Sequence, residues 1–342
     1  MASTSQNESS AWKSAILPQE VFDKIALLSG RDGRAIMTRV SSYFKHAFAG
    51  AHYNAVRFTD TQRRLSYTLK MFIFTCEETP FTSGSGNRPF NHYIKAANIE
   101  YFDPPQGPTE ITGWKFAADS PRLGWNPDSD LPSRIVKAIS LMPNVEFLTL
   151  ILDHFTAEQH SQMSVRNHFY NAVGKYHQKL ERLHLALRHG DFPSTETASG
   201  MPEYATNRIR QDFGRLKWLT LEFNHWQGCW HNKSSFNTQR DKFVEAIKKL
   251  KHLERLAFTI RKCHIPQDSN IVVGGGDRSA LYKEVIQFLG EKSPTLLSIA
   301  ILVDYPTYYL GERDRVGAAM STVCMDARNL RHDSWPTGVR DD

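Results

Sequence analysis

Side chains of the types that bind zinc lie in two neighbouring parts of the sequence, and they are His225, Cys229, His231, Cys263 and His264. Imidazole and thiolate groups are common zinc ligands, and a structural site surrounds the ion with four of them. A single residue separates Cys229 from His231, and structural zinc sites rarely use this spacing. The spacing therefore favours ordinary structural positions for these residues, with a zinc site as the alternative.

Catalytic motifs are incomplete in this sequence. The segment Val273-Gly274-Gly275-Gly276-Asp277 precedes a helical pattern, but no Walker lysine follows it and the spacing of dinucleotide-binding glycines is absent. We interpret it as a flexible loop. No Gly-X-Ser-X-Gly turn for a nucleophile occurs either. The sequence therefore predicts a protein that is not an enzyme and has no cofactor, whereas a bound zinc ion or phosphate compound would support an enzyme.

Another set of residues has the types that dominate protein–protein binding sites. Arginine and aromatic side chains combine a large contact area with polar ends, and they are frequent hot spots. We predict that the following residues contact a partner protein: Arg182, His184, Trp218, Glu222, Arg255, Trp226 and Tyr305. For Trp226 the alternative is that its ring covers the rim of the core.

These residues lie within or just after copies of a repeated apolar pattern. The pattern is apolar, two variable residues, apolar, one variable residue, apolar. Its copies start about 35 to 43 residues apart, a period found in solenoid proteins. The copies are Val145, Leu148 and Leu150; Leu180, Leu183 and Leu185; Leu216, Leu219 and Leu221; Leu253, Leu256 and Phe258; and Leu296, Ile299 and Ile301. Weaker copies occur earlier, with Tyr53, Val56 and Phe58 and with Ile94, Ala97 and Ile99.

Each copy predicts a short strand that follows a helix. The last two apolar positions alternate and share one face of the strand, so the variable residues point to the other face. Apolar residues three or four apart predict the helices, and they are Ile135, Ile139 and Leu141; Phe169, Val173 and Tyr176; Phe243, Ile247 and Leu250; and Leu281, Val285 and Phe288. Stacking such units would bury one continuous core beneath a parallel sheet.

This alternation of helices and strands resembles the irregular leucine-rich repeat proteins of the long, helix-containing kind. The resemblance implies an α/β solenoid with a parallel sheet, whose concave face would carry Arg182 and Trp218. An ordinary α/β domain with a parallel sheet is the alternative, because periodicity does not distinguish the two. We expect loops at 79–89, 103–132 and 193–202, and a last capping helix at 313–330.

The residues before the repeats predict a pair of helices. Pro18 suits the first turn of a helix, and Val21, Ile25 and Leu28 follow at helical spacing. Residues 29–33 predict a turn and residues 35–48 a second helix. Such a pair has too few apolar residues for an independent core. Its remaining apolar surface needs a partner or the adjoining domain.

This N-terminal segment is similar to the F-box motif in Leu17-Pro18, Glu20-Val21, Ile25, Leu28, Arg39-Val40-Ser41 and Phe44. The F-box family binds a Skp-type adaptor and thereby joins a cullin-based ubiquitin ligase. The resemblance implies adaptor-facing or core positions for Leu17, Pro18, Val21, Ile25 and Val40. Fungal F-box proteins often carry irregular leucine-rich repeats after the motif, which is the order expected here. The alternative is a helical cap that seals the first repeat.

Composition indicates an intracellular protein. The chain has 342 residues, of which 40% are hydrophobic, and this is enough for a large core and for more than one domain. Residues 1–10 are polar, so we expect no secretory signal, and no apolar run predicts a membrane span. Four scattered cysteines favour reduced thiols in the cytoplasm or nucleus. The net charge of +6 is spread over helices, and nucleic acid is not the expected partner.

The patterns together predict a flexible tail at 1–11, an F-box-like segment at 12–50, a repeat domain at 51–330 and a second tail at 331–342. We expect a substrate-recognition adaptor of an SCF-type (Skp–cullin–F-box) ubiquitin ligase, monomeric outside that complex. Its repeat surface would bind an unidentified protein target. The alternative is a repeat scaffold that has N-terminal capping helices and no role with ubiquitin.

Overall fold

The computed structural model describes residues 19–40, 50–78, 89–101, 130–153, 179–188, 213–223, 233–260, 279–303, 306–328 and 335–336. The chain divides into two compact units, Met1–Asn54 and Ala55–Asp342. Within the described ranges, every helix is too short or too polar to cross a lipid bilayer.

Two helices of the first unit share a small apolar cluster. Helix α1 spans Gln19–Leu28 and helix α2 spans Gly30–Val40. Gly30 has a φ of +63°, a left-handed conformation in which glycine ends a helix without strain. The second helix therefore begins earlier than the sequence predicted, because one left-handed residue is enough to redirect the chain. The cluster consists of Phe22 and Ala26 with Ile25, Met37 and Ala51 around them.

The second unit contains a nine-stranded sheet. Its strands are β1 (Ala55–Asp60), β2 (Ala96–Tyr101), β3 (Phe147–Asp153), β4 (Arg182–Arg188), β5 (Trp218–Phe223), β6 (Arg255–Thr259), β7 (Ser298–Leu302), β8 (Thr307–Glu312) and β9 (Ser321–Asp326). Their order in the sheet is the same as their order in the chain. Strands β1 to β7 are parallel, and β8 and β9 are antiparallel to their neighbours. The predicted parallel sheet is therefore confirmed.

Equivalent residues of the repeated pattern lie side by side in this sheet. Leu148 pairs with Leu183, which pairs in turn with Leu219. The row continues through Leu256 to Ile299, so every copy of the pattern contributes the same position. The weaker early copies belong to the same row, since Val56 pairs with Ala97 and Ala97 with Leu148.

Helices lie between several of the strands. They are α3 (Gln62–Glu78), α4 (Leu131–Ser140), α5 (Lys233–Ile247) and α6 (Ser279–Lys292), with a short 3₁₀ helix at Phe90–Tyr93. The sequence predicted α4, α5 and α6 but not α3. The helix predicted from Phe169, Val173 and Tyr176 falls outside the described residues, as do most of the predicted loops.

One face of the sheet packs against these helices. Strand residues such as Leu150, Leu185 and Leu221 form one apolar core with helix residues such as Leu69 and Ile135. The opposite face, which we call the far face, carries the alternate residues of each strand. Its two central rows are Phe147, Arg182, Trp218, Arg255 and Ser298, and then Thr149, His184, Thr220, Ala257 and Ala300.

The predicted capping helix at 313–330 is wrong, because β9 occupies Ser321–Asp326 within that range. An antiparallel hairpin of β8 and β9 follows the parallel strands instead. Arg313, at the end of β8, is buried and donates hydrogen bonds to the carbonyl groups of Leu296, Gly290, Ser293 and Ala318. These bonds tie the hairpin to the end of α6, where helix carbonyls have no partner within the helix.

Candidate functional site

The strand register brings three of the predicted partner-binding residues together on the far face. Arg182, Trp218 and Arg255 come from β4, β5 and β6 and occupy one row of the sheet. The Arg182 guanidinium carbon lies 3.8 Å from the centroid of the Trp218 ring and 4.6 Å from that of Phe147. The Arg255 guanidinium carbon lies 4.0 Å from the same tryptophan ring. We call Phe147, Arg182, Trp218 and Arg255 the Arg–Trp ladder.

Stacking fixes the side chains of this ladder. A guanidinium group over an aromatic face contributes about 0.5 to 2 kcal/mol, and more when water is excluded. Trp218 retains only 5% of its exposure, since an arginine side chain from each neighbouring strand and the Trp335 ring pack around it. The ladder is therefore a preorganised surface of aromatic and cationic groups, the types found at binding hot spots.

A pocket of about 470 Å³ lies beside the ladder, at the amino ends of β4 to β7. It is lined by Glu181, Arg182, Lys217, Trp218, Glu254, Arg255, Leu297, Ser298, Glu312, Arg313 and Asp314. Lys217 Nζ lies 3.1 Å from Glu181 Oε2, and the Arg313 guanidinium donates hydrogen bonds to backbone carbonyls. In contrast, Glu254, Glu312 and Asp314 are exposed and make no ion pair within the described part of the chain. The lining therefore has four basic and four acidic side chains, and three of its carboxylates are exposed to a ligand.

His184 and Glu222, two further predicted partner-binding residues, are buried. His184 Nε2 and Glu222 Oε1 lie 2.8 Å apart, and the two side chains retain 0% and 2% of their exposure. Among the described residues, His184 Nδ1 has no hydrogen-bond partner. The pair offers almost no accessible surface while it remains covered, so the predicted contact of these residues with a partner stays a prediction.

A second polar group lies on the far face near the first strands. Glu100 of β2 is 3% exposed and accepts hydrogen bonds from Arg57 (2.9 Å), Thr59 (3.3 Å) and Asn98 (2.7 Å). Three donors satisfy the buried carboxylate, as a buried charge requires. This cluster stabilises the pairing of β1 with β2, and it leaves the ladder as the better candidate for binding.

The dipeptide Trp335-Pro336 lies against the far face. The Trp335 indole Nε1 donates to Ser298 Oγ at 3.2 Å, and its ring lies 5.9 Å from the ring of Trp218 in an edge-to-face arrangement. The Thr220 hydroxyl lies 3.5 Å from the Pro336 carbonyl oxygen. The Trp335 ring also packs beside a small apolar cluster that includes Ala300. The sequence placed this segment in a flexible tail and did not indicate the contact.

Apolar side chains of the first unit are exposed. Leu27 and Leu28 retain 78% and 86% of their exposure, and Ile36 retains 63%. Val21, predicted to face an adaptor, is 38% exposed, whereas Ile25 packs beside the cluster of Phe22 and Ala26. Exposed apolar side chains close together are typical of docking surfaces, so this set forms a candidate docking face.

Several predicted positions fall outside the described residues: Leu17, Pro18, Trp226, Tyr305, the zinc candidates His225, Cys229, His231, Cys263 and His264, and the glycine segment at 273–277. Val40 ends α2, and only its backbone is described. Among the residues that are described, no group of three or more histidine, cysteine, aspartate or glutamate side chains is arranged to hold a metal ion.

Comparison with known proteins does not change this picture. No protein-family model matches the chain, and no match to a curated protein was found. The functional interpretation therefore depends on the residues and geometry described above.

Proposed function

We propose that this chain is the substrate-recognition adaptor of an SCF-type ubiquitin ligase, acting in the cytoplasm or nucleus. Its first unit would bind a Skp-type adaptor, and its second unit would bind a protein target. The ligase chemistry would belong to the partners, since holding a target beside a charged ubiquitin-conjugating enzyme raises its effective concentration.

The exposed apolar side chains of α1 and α2 are the observation that carries the proposal. Phe22 and Ala26 hold the two helices together, while Val21, Leu27 and Leu28 remain on the surface. Burying one such side chain in an interface contributes about 1.5 to 3 kcal/mol. A partner with a matching apolar groove would therefore gain several kcal/mol from this face, and the F-box resemblance of the same segment names a Skp-type protein as that partner.

The in-register stacking of repeated apolar positions supports a leucine-rich repeat solenoid for the second unit. Such a solenoid presents the variable residues of successive strands as one continuous surface. The Arg–Trp ladder and the adjoining pocket lie on that surface and have the side-chain types of a binding site. We propose that the target docks there.

Binding to the Skp-type adaptor of the host tests the proposal. We expect the wild-type chain to bind and a Val21→Ala, Leu28→Ala variant to bind about tenfold to a hundredfold more weakly, because truncating interface anchors costs about 2 kcal/mol or more. Isothermal titration calorimetry with the purified adaptor gives the dissociation constants. Thermal unfolding checks that both proteins are folded.

A matched control is available in β9, where Val323 and Met325 are 47% and 39% exposed. A Val323→Ala, Met325→Ala variant should bind the adaptor as the wild type does. Equal weakening of both double variants would show that the loss does not come from the docking face. Absence of binding by the folded wild-type chain would refute the ligase role and leave the repeat scaffold as the interpretation.

A further inference from the structure

We propose that the part of the far face that holds Trp335 and Pro336 is a peptide-recognition site, and that this dipeptide of the chain itself is its internal competitor. We call this part, formed by Trp218, Thr220, Arg255 and Ser298, the Trp335 slot. Its external ligand is a segment of the target with an aromatic residue followed by proline and a basic residue nearby. The proposal rests on the target-binding role given above.

Each contact in the slot is of a kind that a peptide ligand would use. Ser298 Oγ accepts the indole hydrogen bond at 3.2 Å, and Trp218 provides an aromatic surface at 5.9 Å between centroids. The Thr220 hydroxyl faces the carbonyl oxygen after the aromatic residue. Tryptophan favours such sites because an apolar ring and a polar N–H are satisfied together.

The slot is formed by paired strands and does not need its occupant for its geometry. Trp218 and Thr220 belong to β5 and Ser298 to β7, and both strands are held by neighbours on each side. Trp218 also stacks with Arg182 and Arg255. Since recognition sites on rigid strands are preorganised, little ordering is required when a peptide enters.

The polar contacts of the occupant with the described strands are long. The hydrogen bond from Trp335 to Ser298 measures 3.2 Å, at the upper end of the usual range, and the Thr220 hydroxyl lies 3.5 Å from the Pro336 carbonyl oxygen, beyond that range. The Trp335 side chain remains partly exposed. A target segment that made the same contacts and additional ones would therefore displace it.

The neighbouring pocket gives the additional contacts and their charge. Trp218, Arg255 and Ser298 line both the slot and the pocket, so a peptide that extends from the slot into the pocket would meet Glu254, Glu312 and Asp314. These carboxylates are exposed and make no ion pair in the described ranges. A lysine or arginine near the aromatic residue of the target would satisfy them.

A full-length Trp335→Ala variant opens the slot and allows a direct test. The probe is a fluorescein-labelled peptide with the sequence Lys-Ser-Trp-Pro-Thr, and binding is followed by fluorescence anisotropy. We expect the variant to bind this peptide at least about tenfold more tightly than the wild type, in which Trp335 competes. Peptides with alanine for tryptophan, or glutamate for lysine, should bind the variant about tenfold more weakly.

A second substitution locates the binding. Adding Ser298→Ala to the Trp335→Ala variant should weaken peptide binding about threefold to tenfold, because the indole N–H loses its acceptor. Adding Ser321→Ala, an exposed serine of β9, should not weaken it.

Three results would overturn the proposal. The first is equal affinity of Trp335→Ala for the tryptophan and alanine peptides, and the second is equal affinity of the wild type and variant for the tryptophan peptide. The third is loss of the folded state in Trp335→Ala, because a side chain that is required for folding cannot be displaced by a target peptide. All these assays use the isolated chain without a Skp-type protein, so they can fail while the adaptor still binds α1 and α2.

Discussion

Replacing His184 with leucine tests how the far face is held together. His184 lies in the middle of β4, between Thr149 and Thr220 of the neighbouring strands, and its partner Glu222 belongs to β5. Leucine has a similar size and cannot hydrogen bond. The substitution therefore removes the interaction with Glu222 and leaves the packing volume nearly unchanged.

The expected cost follows from the burial of the pair. Removing one member of a buried ion pair or hydrogen-bonded pair commonly costs about 3 to 5 kcal/mol. Glu222 keeps another interaction, so we expect about 3 kcal/mol for His184→Leu. Glu222→Leu leaves both ring nitrogens of His184 without partners among the described residues and should cost about 2 to 3 kcal/mol. The double leucine variant should cost about 1 to 2 kcal/mol, because neither member of the pair is left without its partner and only the other interaction of Glu222 is lost.

Urea denaturation, followed by circular dichroism and tryptophan fluorescence, measures these free energies. The four proteins form a double-mutant cycle, and the expected coupling is about 4 kcal/mol. Glu222→Gln is the matched control, since the amide oxygen can still accept from His184 Nε2. It should cost about 1 kcal/mol or less.

Additive losses in the double variant would refute this reasoning. They would mean that each residue stabilises the sheet through separate contacts. A double variant that is stable but no longer binds the target would instead support a direct contact of His184 and Glu222 with the partner.

Two further predictions follow from local geometry. A Cβ at Gly311 would overlap Ile286 Cγ2, so Gly311→Ala should lower the free energy of unfolding by about 1 to 3 kcal/mol. Gly214 has open space around it, so the control Gly214→Ala should have little effect in the same urea titration. Burial, reinforced by Glu77, raises the pKa of the Cys76 thiol to about 12. Only about one molecule in ten thousand then carries the Cys76 thiolate at pH 8, so iodoacetamide should label Cys76 far more slowly than the exposed Cys324. The rate of Cys76 labelling should rise about tenfold per pH unit up to about pH 11. Peptide mass spectrometry measures both labelling rates. Equal labelling of the two cysteines at pH 8 would contradict the second prediction.

The parallel sheet could be predicted because the apolar alternation within each strand determines its register. Leu183 and Leu185 of β4 and Leu219 and Leu221 of β5 repeat the same alternation, and a shift by one residue would expose both pairs. The pairing that places the leucines of β4 beside those of β5 is therefore the one that buries all four side chains. Helix α6 followed from Leu281 and Val285 for the same reason.

The polar contacts of the far face could not be predicted in this way. Nothing in the sequence near His184 indicates that its partner is Glu222, 38 positions away, rather than solvent or another protein. The docking of Trp335 depends equally on a serine in a distant strand. The β8–β9 hairpin was missed because Val323 and Met325 lie on an exposed edge strand and give no apolar alternation toward a core.

The order of the strands also bears on how the chain folds during synthesis. Each strand from β2 to β9 pairs with the strand that precedes it in the chain. As the ribosome extends the polypeptide, every new strand therefore meets a partner that has already been made. Each of these strands can therefore form its backbone hydrogen bonds on one side as soon as it is synthesised. The sheet can grow one strand at a time from β1 towards β9.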